Sequence, residues 1–579
     1  MKESTWVAPA VVMVACAFGS LGCGSRESES TAPALPSSNN TGDHASGPGA
    51  SNSGGSGLNL SNPGTNSGGT ASAAPGPAGV PLTGTGGGSG LASGGTASEP
   101  VDSPDPTPEA NPPSNPFVIV AHDPLSTFAA DVDTASYDIF MSSVGKGFLP
   151  AAQTVRVEEF VNYFHYDYAP PARDSDHPFS ISLAAAPALD PTTLMFRVGI
   201  RGRLPSSEKR PANLVFLVDT SGSMAAANKL PLVQFTLTES LAVLDPSDTV
   251  SIVSYAGSTA VRLQPTPVAE AATIKAAIAG LSAAGSTNGG SGITLAYQQA
   301  EAAFLEGGIN HVMLCTDGDF NVGITSNEAL VELITEKRKT GVTFTALGYG
   351  ADPNDAMMER VSNAGNGTYS VIYNQSQARE YVETRLLSNL DYIAKDMKIQ
   401  VEFNPAKVYA YRLLGYEDRD VADNDFRNDV VDAGEVGAGH RVTALYQLVL
   451  AGGELPMSRM AVPVEDGAAY SGPTEVLADD YALVKIRYKQ PDATEQDPAS
   501  EVNASLGAGG VAEAWVNLDA DFQWAYAVAS FAEILKGSPY ATPGALNTIG
   551  NIIGQPLHDG TAEREAFRSA FAQASALLK

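Results

Sequence analysis

Two carboxylates and three hydroxyl side chains stand where the sequence predicts the ends of strands. Asp219-Thr220-Ser221-Gly222-Ser223 directly follows the apolar run Leu214-Val215-Phe216-Leu217-Val218, Gly285-Ser286-Thr287-Asn288 leads into a helical pattern, and Thr316-Asp317-Gly318 closes Val312-Met313-Leu314-Cys315. The carboxyl ends of strands are where open α/β sheets place their ligand sites. Asp219, Ser221, Ser223, Thr287 and Asp317 make an all-oxygen donor set of the kind hard divalent cations select. Gly222 lets the two serines turn toward one point, and Gly285 allows close backbone approach at the threonine loop. Any one segment alone reads as an ordinary cap or turn. Three in one chain point to a cation.

The elements that must position these residues alternate between strand and helix periodicity over 211–392. Strands are predicted at 214–218, 249–255, 260–263, 311–315, 342–347 and 367–372, and helices at 230–244, 269–279, 290–304, 327–339 and 377–390. This alternation predicts an α/β fold, a doubly wound and mainly parallel sheet covered on both faces. Before it, 117–210 reads as a helical lead-in, with Asp133 or Thr134 as a helix cap, followed by strands at 179–183 and 194–200. After it, 393–579 reads as β-rich, with strands at 398–403, 408–414, 442–450 and 482–488, and it ends in helices near 524–535 and 562–577. The flanking strands lack partners of their own, so they are expected to pair with each other. The α/β domain is then inserted in, or flanked by, a β-sandwich-like domain; the alternative is two separate small β units.

A chain of 579 residues is too long for one core. Its 64 acidic against 34 basic residues, a formal charge of −30, argue against nucleic acid as a partner. Cys315 lies inside a predicted buried strand and reads as a small core hydrophobe. Residues 1–23 read as a secretory signal: Lys2, an apolar stretch over 6–21, then Leu21-Gly22-Cys23. That end resembles the bacterial lipobox, which implies lipidation at Cys23 and a membrane anchor. Ser20 stands where leucine is usual, and Glu3 dilutes the basic start. Residues 24–116 are Gly-, Ser- and Pro-rich and cannot bury enough apolar surface to offset ordering entropy. They are expected to form a disordered tether of roughly 50 Å root-mean-square span.

The segments at Asp219, Thr287 and Asp317 resemble the Asp-x-Ser-x-Ser, Thr and Asp elements of the metal-ion-dependent adhesion site in von Willebrand factor type A (VWA) domains. The resemblance implies that Ser221, Ser223 and Thr287 contribute hydroxyl oxygens, and that Asp219 and Asp317 act directly or through water. It implies a divalent cation, Mg²⁺ first and Mn²⁺ or Ca²⁺ as alternatives, with a position open to a partner's Asp or Glu carboxylate. Asp131-Val132-Asp133-Thr134-Ala135-Ser136-Tyr137, Gly318-Asp319-Phe320-Asn321-Val322-Gly323 and Gly437-Ala438-Gly439-His440 are similar to flanking segments of a bacterial lipoprotein group carrying this domain. The expectation is a non-enzymatic envelope lipoprotein that binds protein ligands, in the outer rather than the inner membrane because Gly24 replaces an inner-membrane-retaining Asp.

Two other readings compete. Asp131-Val132-Asp133-Thr134 resembles the Asp-x-Asp-x-Thr motif of haloacid-dehalogenase-type phosphotransferases, so a Mg²⁺-dependent phosphohydrolase using Asp131 is the enzyme alternative. A structural envelope protein whose cation only stiffens loops is the third. Gly289-Gly290-Ser291-Gly292 lacks the following Lys-Ser/Thr of a P-loop. His440 has no Cys or His at ligand spacing and reads as a turn or core residue, and the aromatic helix around Trp524 reads as a packing element.

Overall fold

In a computed structural model, which describes residues 114–579 apart from 131–132, 191, 206–209, 288, 319–326, 351–353, 430, 432, 457–469, 494–496 and 559, the chain opens with strands. These are β1 (Val118–Ile119) and β2 (Leu125–Ala129), followed by helices α1 (Ala135–Gly145) and α2 (Val157–Asn162) and strands β3 (Phe179–Pro187) and β4 (Leu194–Gly202). The α/β region runs β5 (Ala212–Asp219), α3 (Leu230–Ser240), β6 (Thr249–Tyr255), β7 (Thr259–Pro267), α4 (Ala271–Ala279), α5 (Gly289–Ala302), β8 (Ile309–Thr316), α6 (Asn327–Arg338), β9 (Thr343–Tyr349), α7 (Asp355–Ala364), β10 (Tyr369–Ile372), α8 (Gln375–Thr384) and α9 (Leu386–Leu390). The remainder runs β11 (Tyr392–Phe403), β12 (Val408–Leu414), β13 (Gly434–Gly437), β14 (Arg441–Leu450), β15 (Ala482–Lys489), β16 (Ser500–Leu506), α10 (Ala520–Lys536), α11 (Leu546–Ile553) and α12 (Ala562–Leu577).

The central sheet has the order β10-β9-β8-β5-β6-β7, parallel throughout except for the antiparallel edge pair β6–β7. Every residue of β5 is buried, which is why its sequence is a continuous apolar run rather than an alternation. Asp219 ends that run without leaving the interior, at 0% exposure.

The strands on either side of this region pair with each other. One five-stranded sheet has the order β1-β12-β14-β4-β3; the other has β13-β11-β15-β16 with β2 alongside β11. Their inner faces share one core, in which Phe196 and Tyr446 of the first sheet meet Phe403 and Val484 of the second. The α/β unit is thus inserted between β4 and β11 of a sandwich. A Cβ built on Gly202, at the end of β4, would stand 2.7 Å from Ile393 Cδ1 near the start of β11, so the insertion leaves and re-enters at nearly one point.

Two expectations need correction. The lead-in is not only helical: β1 and β2 pair with β12 and β11, far downstream in the chain, in the register Val118↔Tyr411 and Phe128↔Ile399. The helix beginning at Ala135 has no side-chain cap from Thr134. Thr134 Oγ1 instead accepts from Arg385 at 2.6 Å, and Asp133 accepts from Tyr369 N at 2.8 Å. A fourth layer is helical: α10 packs Phe522, Trp524 and Phe531 with Tyr137 and Phe140 of α1 and Phe567 of α12. Cys315 is fully buried in β8, and burial pushes its thiol up to about 12. Among the described residues no helix is long and apolar enough to cross a membrane.

Candidate functional site

The carboxyl ends of β5 and β8 lie side by side because the two strands are paired in register from Ala212↔Ile309 to Val218↔Cys315. Asp219 and Asp317 therefore emerge as neighbours. Asp219 Oδ1 accepts from Ser221 N at 2.8 Å and its Oδ2 accepts from Thr316 Oγ1 at 2.8 Å, so both oxygens are aimed by hydrogen bonds from the chain itself. Burial pushes this carboxyl up to about 6 in spite of those donors, with the nearby Asp317 adding to the rise. The Ser221 and Ser223 hydroxyls stand 2.9 Å apart; Ser221 is 1% exposed, whereas Ser223 faces solvent.

The third segment, expected at a strand end, instead joins α4 to α5, and it is tied to the first by backbone. Gly222 N donates to Gly285 O at 2.9 Å and Ala284 N donates to Thr220 O at 2.8 Å, which brings buried Thr287 to within two residues of the junction. Gly285 has φ +86°, a conformation that glycine adopts without strain. The structure thus gathers the segments carrying Asp219, Ser221, Ser223, Thr287 and Asp317. Asn288, Asp319, Asp131 and Cys23 lie outside the described residues.

Three participants escaped the sequence reading. Thr316 orients Asp219. Tyr255, at the end of β6, is buried beside the same carboxylate, and its backbone O accepts from both Thr220 N and Thr220 Oγ1. Lys229, just before α3, places its ammonium 2.8 Å from Asp317 Oδ2. A lone lysine ten positions after Asp219 carries no signal of a partner 88 residues farther on.

The donor set fits a hard cation. All of its members are oxygens, and the Lys229 ammonium shows that Asp317 accepts positive charge at this point. The phosphohydrolase alternative fares differently. Asp133, the second carboxylate of its motif, is 3% exposed and accepts from Arg419 at 2.9 Å as well as from Tyr369 N, a structural use of its charge. Gly292 sits where a Cβ would come within 2.8 Å of Tyr255, so its glycine serves helix–strand approach.

Comparison with known proteins adds the family. Residues 213–384 match the family described as von Willebrand factor type A domain, residues 110–195 the one described as von Willebrand factor, and residues 388–577 the one described as uncharacterized protein YfbK, C-terminal. The protein YfbK of Escherichia coli (strain K12) is 40% identical over 436 residues, covering 74% of this chain and 73% of that protein. Human inter-alpha-trypsin inhibitor heavy chain H4 is 28% identical over 177 residues, 29% of this chain and 19% of that one. A solved von Willebrand factor type A protein from Catenulispora acidiphila is 14% identical, covers 71% of this chain and 89% of that chain, and has a TM-score of 0.39. The chain belongs to the von Willebrand factor type A domain family, with YfbK as a relative over most of its length.

Proposed function

We propose that the VWA unit binds a protein ligand through a divalent cation held by Asp219, Ser221, Ser223, Thr287 and Asp317, and that the chain presents this unit from a lipid-anchored tether at the cell envelope. The observation that carries the reading is the meeting of two strand-end segments and the loop between α4 and α5 in one all-oxygen cluster, with Asp219 fully buried and Ser223 open to solvent. Asp219 is held in one orientation before any ligand arrives, so little ordering is left to do on binding. Ser221 and Ser223 bring neutral oxygens, which leave a cation more electron-poor than carboxylates would. When bound, the cation supplies a Lewis-acidic position that attracts a partner's Asp or Glu carboxylate. Mg²⁺ is the first choice and Mn²⁺ or Ca²⁺ the alternatives.

The lipobox-like Leu21-Gly22-Cys23 and the Gly/Ser/Pro-rich segment 24–116 support an envelope location, with the outer membrane favoured by Gly24. Thermal unfolding with and without Mg²⁺ tests the site: the native chain is expected to gain stability from Mg²⁺ and Asp219→Ala to gain none. An equal gain in both would remove the assignment. Capture of envelope proteins on the immobilised chain, with and without EDTA, tests the partner, since only a cation-bridged carboxylate is released by chelation.

A further inference from the structure

In a chain of formal charge −30, arginines gather around one cavity. Strands β4 and β14 are antiparallel and set Arg201 directly opposite Arg441, so two like charges share one face, an arrangement that costs stability. Arg201 is 9% exposed, its Nε is buried without a hydrogen-bond partner, and neither guanidinium forms an ion pair with a described carboxylate. Arg441 Nε donates to Tyr166 O at 2.7 Å, which leaves the rest of its fork for the cavity. Both line a space of about 300 Å³.

The wall contributed by the VWA unit carries Arg385, which follows α8. Its guanidinium lies 4.5 Å from the centre of the Tyr163 ring, donates to Thr134 Oγ1 and stands 3.9 Å from both Asp138 Oδ2 and Glu380 Oε1, so it is already paired. His440, from the Gly437-Ala438-Gly439-His440 turn, completes the lining; its Nδ1 accepts from Gly437 N at 3.1 Å and its Nε2 meets Asn389 Oδ1 at 3.2 Å. Glu383 is the one carboxylate among the described lining residues. Burial first, then Arg201, pushes the Arg441 guanidinium down to about 10, against the pull of Glu563, Asp167 and Asp521. Burial, then Arg441 and Arg385, pushes His440 down to about 4. Arg201 and Arg441, unlike Arg385, thus have no carboxylate at ion-pair distance among the described residues.

Buried charges persist where something pairs with them. Guanidinium forks match the oxygens of carboxylates and phosphates in pairs. We propose that this cavity binds a small oxyanion, a phosphate or a dicarboxylate, clamped between Arg201 and Arg441 of the sandwich, with the already paired Arg385 of the VWA unit as part of the lining. It shares no residue with the candidate cation site and does not rest on that reading.

The test uses the full chain treated with EDTA, so that no bound metal attracts the probe, in chloride at matched ionic strength. Inorganic phosphate and succinate are titrated separately by calorimetry and by thermal shift. One of them is expected to bind and raise the unfolding temperature, and the tighter of the two identifies the class. Arg201→Gln and Arg441→Gln are each expected to weaken binding by about tenfold or more while the unfolding temperature of the unliganded protein does not fall, because each change relieves a like-charge contact. Arg203→Gln, an exposed neighbour that donates to Ser175 O, is expected to leave binding unchanged. Should Arg441→Gln fail to fold, Arg441→Lys keeps the charge but loses the fork and is expected to weaken binding as well. No response to either anion beyond that to chloride, an equal loss in Arg203→Gln, or full affinity in Arg441→Lys overturns the proposal.

Discussion

At Asp317, an incoming dication meets the Lys229 ammonium 2.8 Å from the carboxylate it needs. Two unit charges about 4 Å apart at an effective dielectric of about 20 interact by about 4 kcal/mol, and the 24% exposure of Lys229 lets solvent and side-chain motion remove much of that. Lys229→Met, which keeps the apolar stem and removes the charge, is expected to tighten Mg²⁺ binding by about tenfold in calorimetric titration. Weaker binding would mean that the lysine positions Asp317 rather than competing for it. A second buried carboxyl behaves differently. Asp138 on α1 accepts from Gln377 Nε2, and burial pushes it up to about 8 against the Arg385 charge. Its folded value lies above its unfolded one, so the folded state holds a proton that the unfolded chain releases. The stability it contributes is complete below about pH 4 and is lost as pH rises through about 8. Asp138→Asn, a mimic of the protonated form, should not show that loss. Unfolding temperatures of the two proteins are expected to diverge in favour of the variant between pH 5 and 8, and parallel curves would refute the shift.

Among the elements, α5 and β6 make the closest approach that bears on the cluster. A Cβ on Gly292 would meet Tyr255 Cδ1 at 2.8 Å and Tyr255 Cβ at 2.9 Å, and Tyr255 is buried next to Asp219. Replacing glycine within a helix by alanine gains about 1 kcal/mol of helix propensity, whereas overpacking costs about 1–3 kcal/mol. The Tyr255 Cβ is anchored to a central strand and cannot swing away, so the steric term should win. Gly292→Ala is expected to lose about 1 kcal/mol in urea unfolding; a gain would show that β6 yields. The same pair of elements shows what the sequence could and could not reveal. The strand ending at Asp219 is legible because a segment buried on both faces must be apolar throughout, and the loops of Asp219 and Asp317 are legible because each follows such a segment, whereas the Thr287 loop shows only as the lead-in to a helical pattern. The antiparallel edge strand β7, of which only 260–263 were expected, is half-exposed and carries mixed residues. Asp133 looked like a cap because its partners, Tyr369 and Arg419, lie 236 and 286 residues away, beyond any local pattern.

Across the whole molecule, the inserted VWA unit is held to its host by charge at one seam. Arg156, at the start of α2, reaches Glu359 Oε2 at 2.6 Å and Asp355 Oδ2 at 3.2 Å on α7, and Glu159 Oε1 at 3.5 Å on its own helix. Arg419 adds bonds of 2.9 Å to both Glu359 and Asp133. Ala135 of α1 is the host's apolar contribution to the VWA core on that side, so the seam has little hydrophobic adhesion beyond it and the partly buried Ile139. Removing one partner of a buried ion network leaves the others uncompensated, at a cost of about 3–5 kcal/mol. Arg156→Met should show that cost near pH 8. Burial already pushes Glu159 well above the ordinary carboxyl range and raises Asp355; without Arg156, both move farther up. The folded variant then takes up protons that its unfolded chain does not bind, so its stability rises as pH falls from 8 toward 5 and the gap to the native protein narrows. Denaturant unfolding at three pH values in that range separates this from simple loss of packing, which would leave the gap constant.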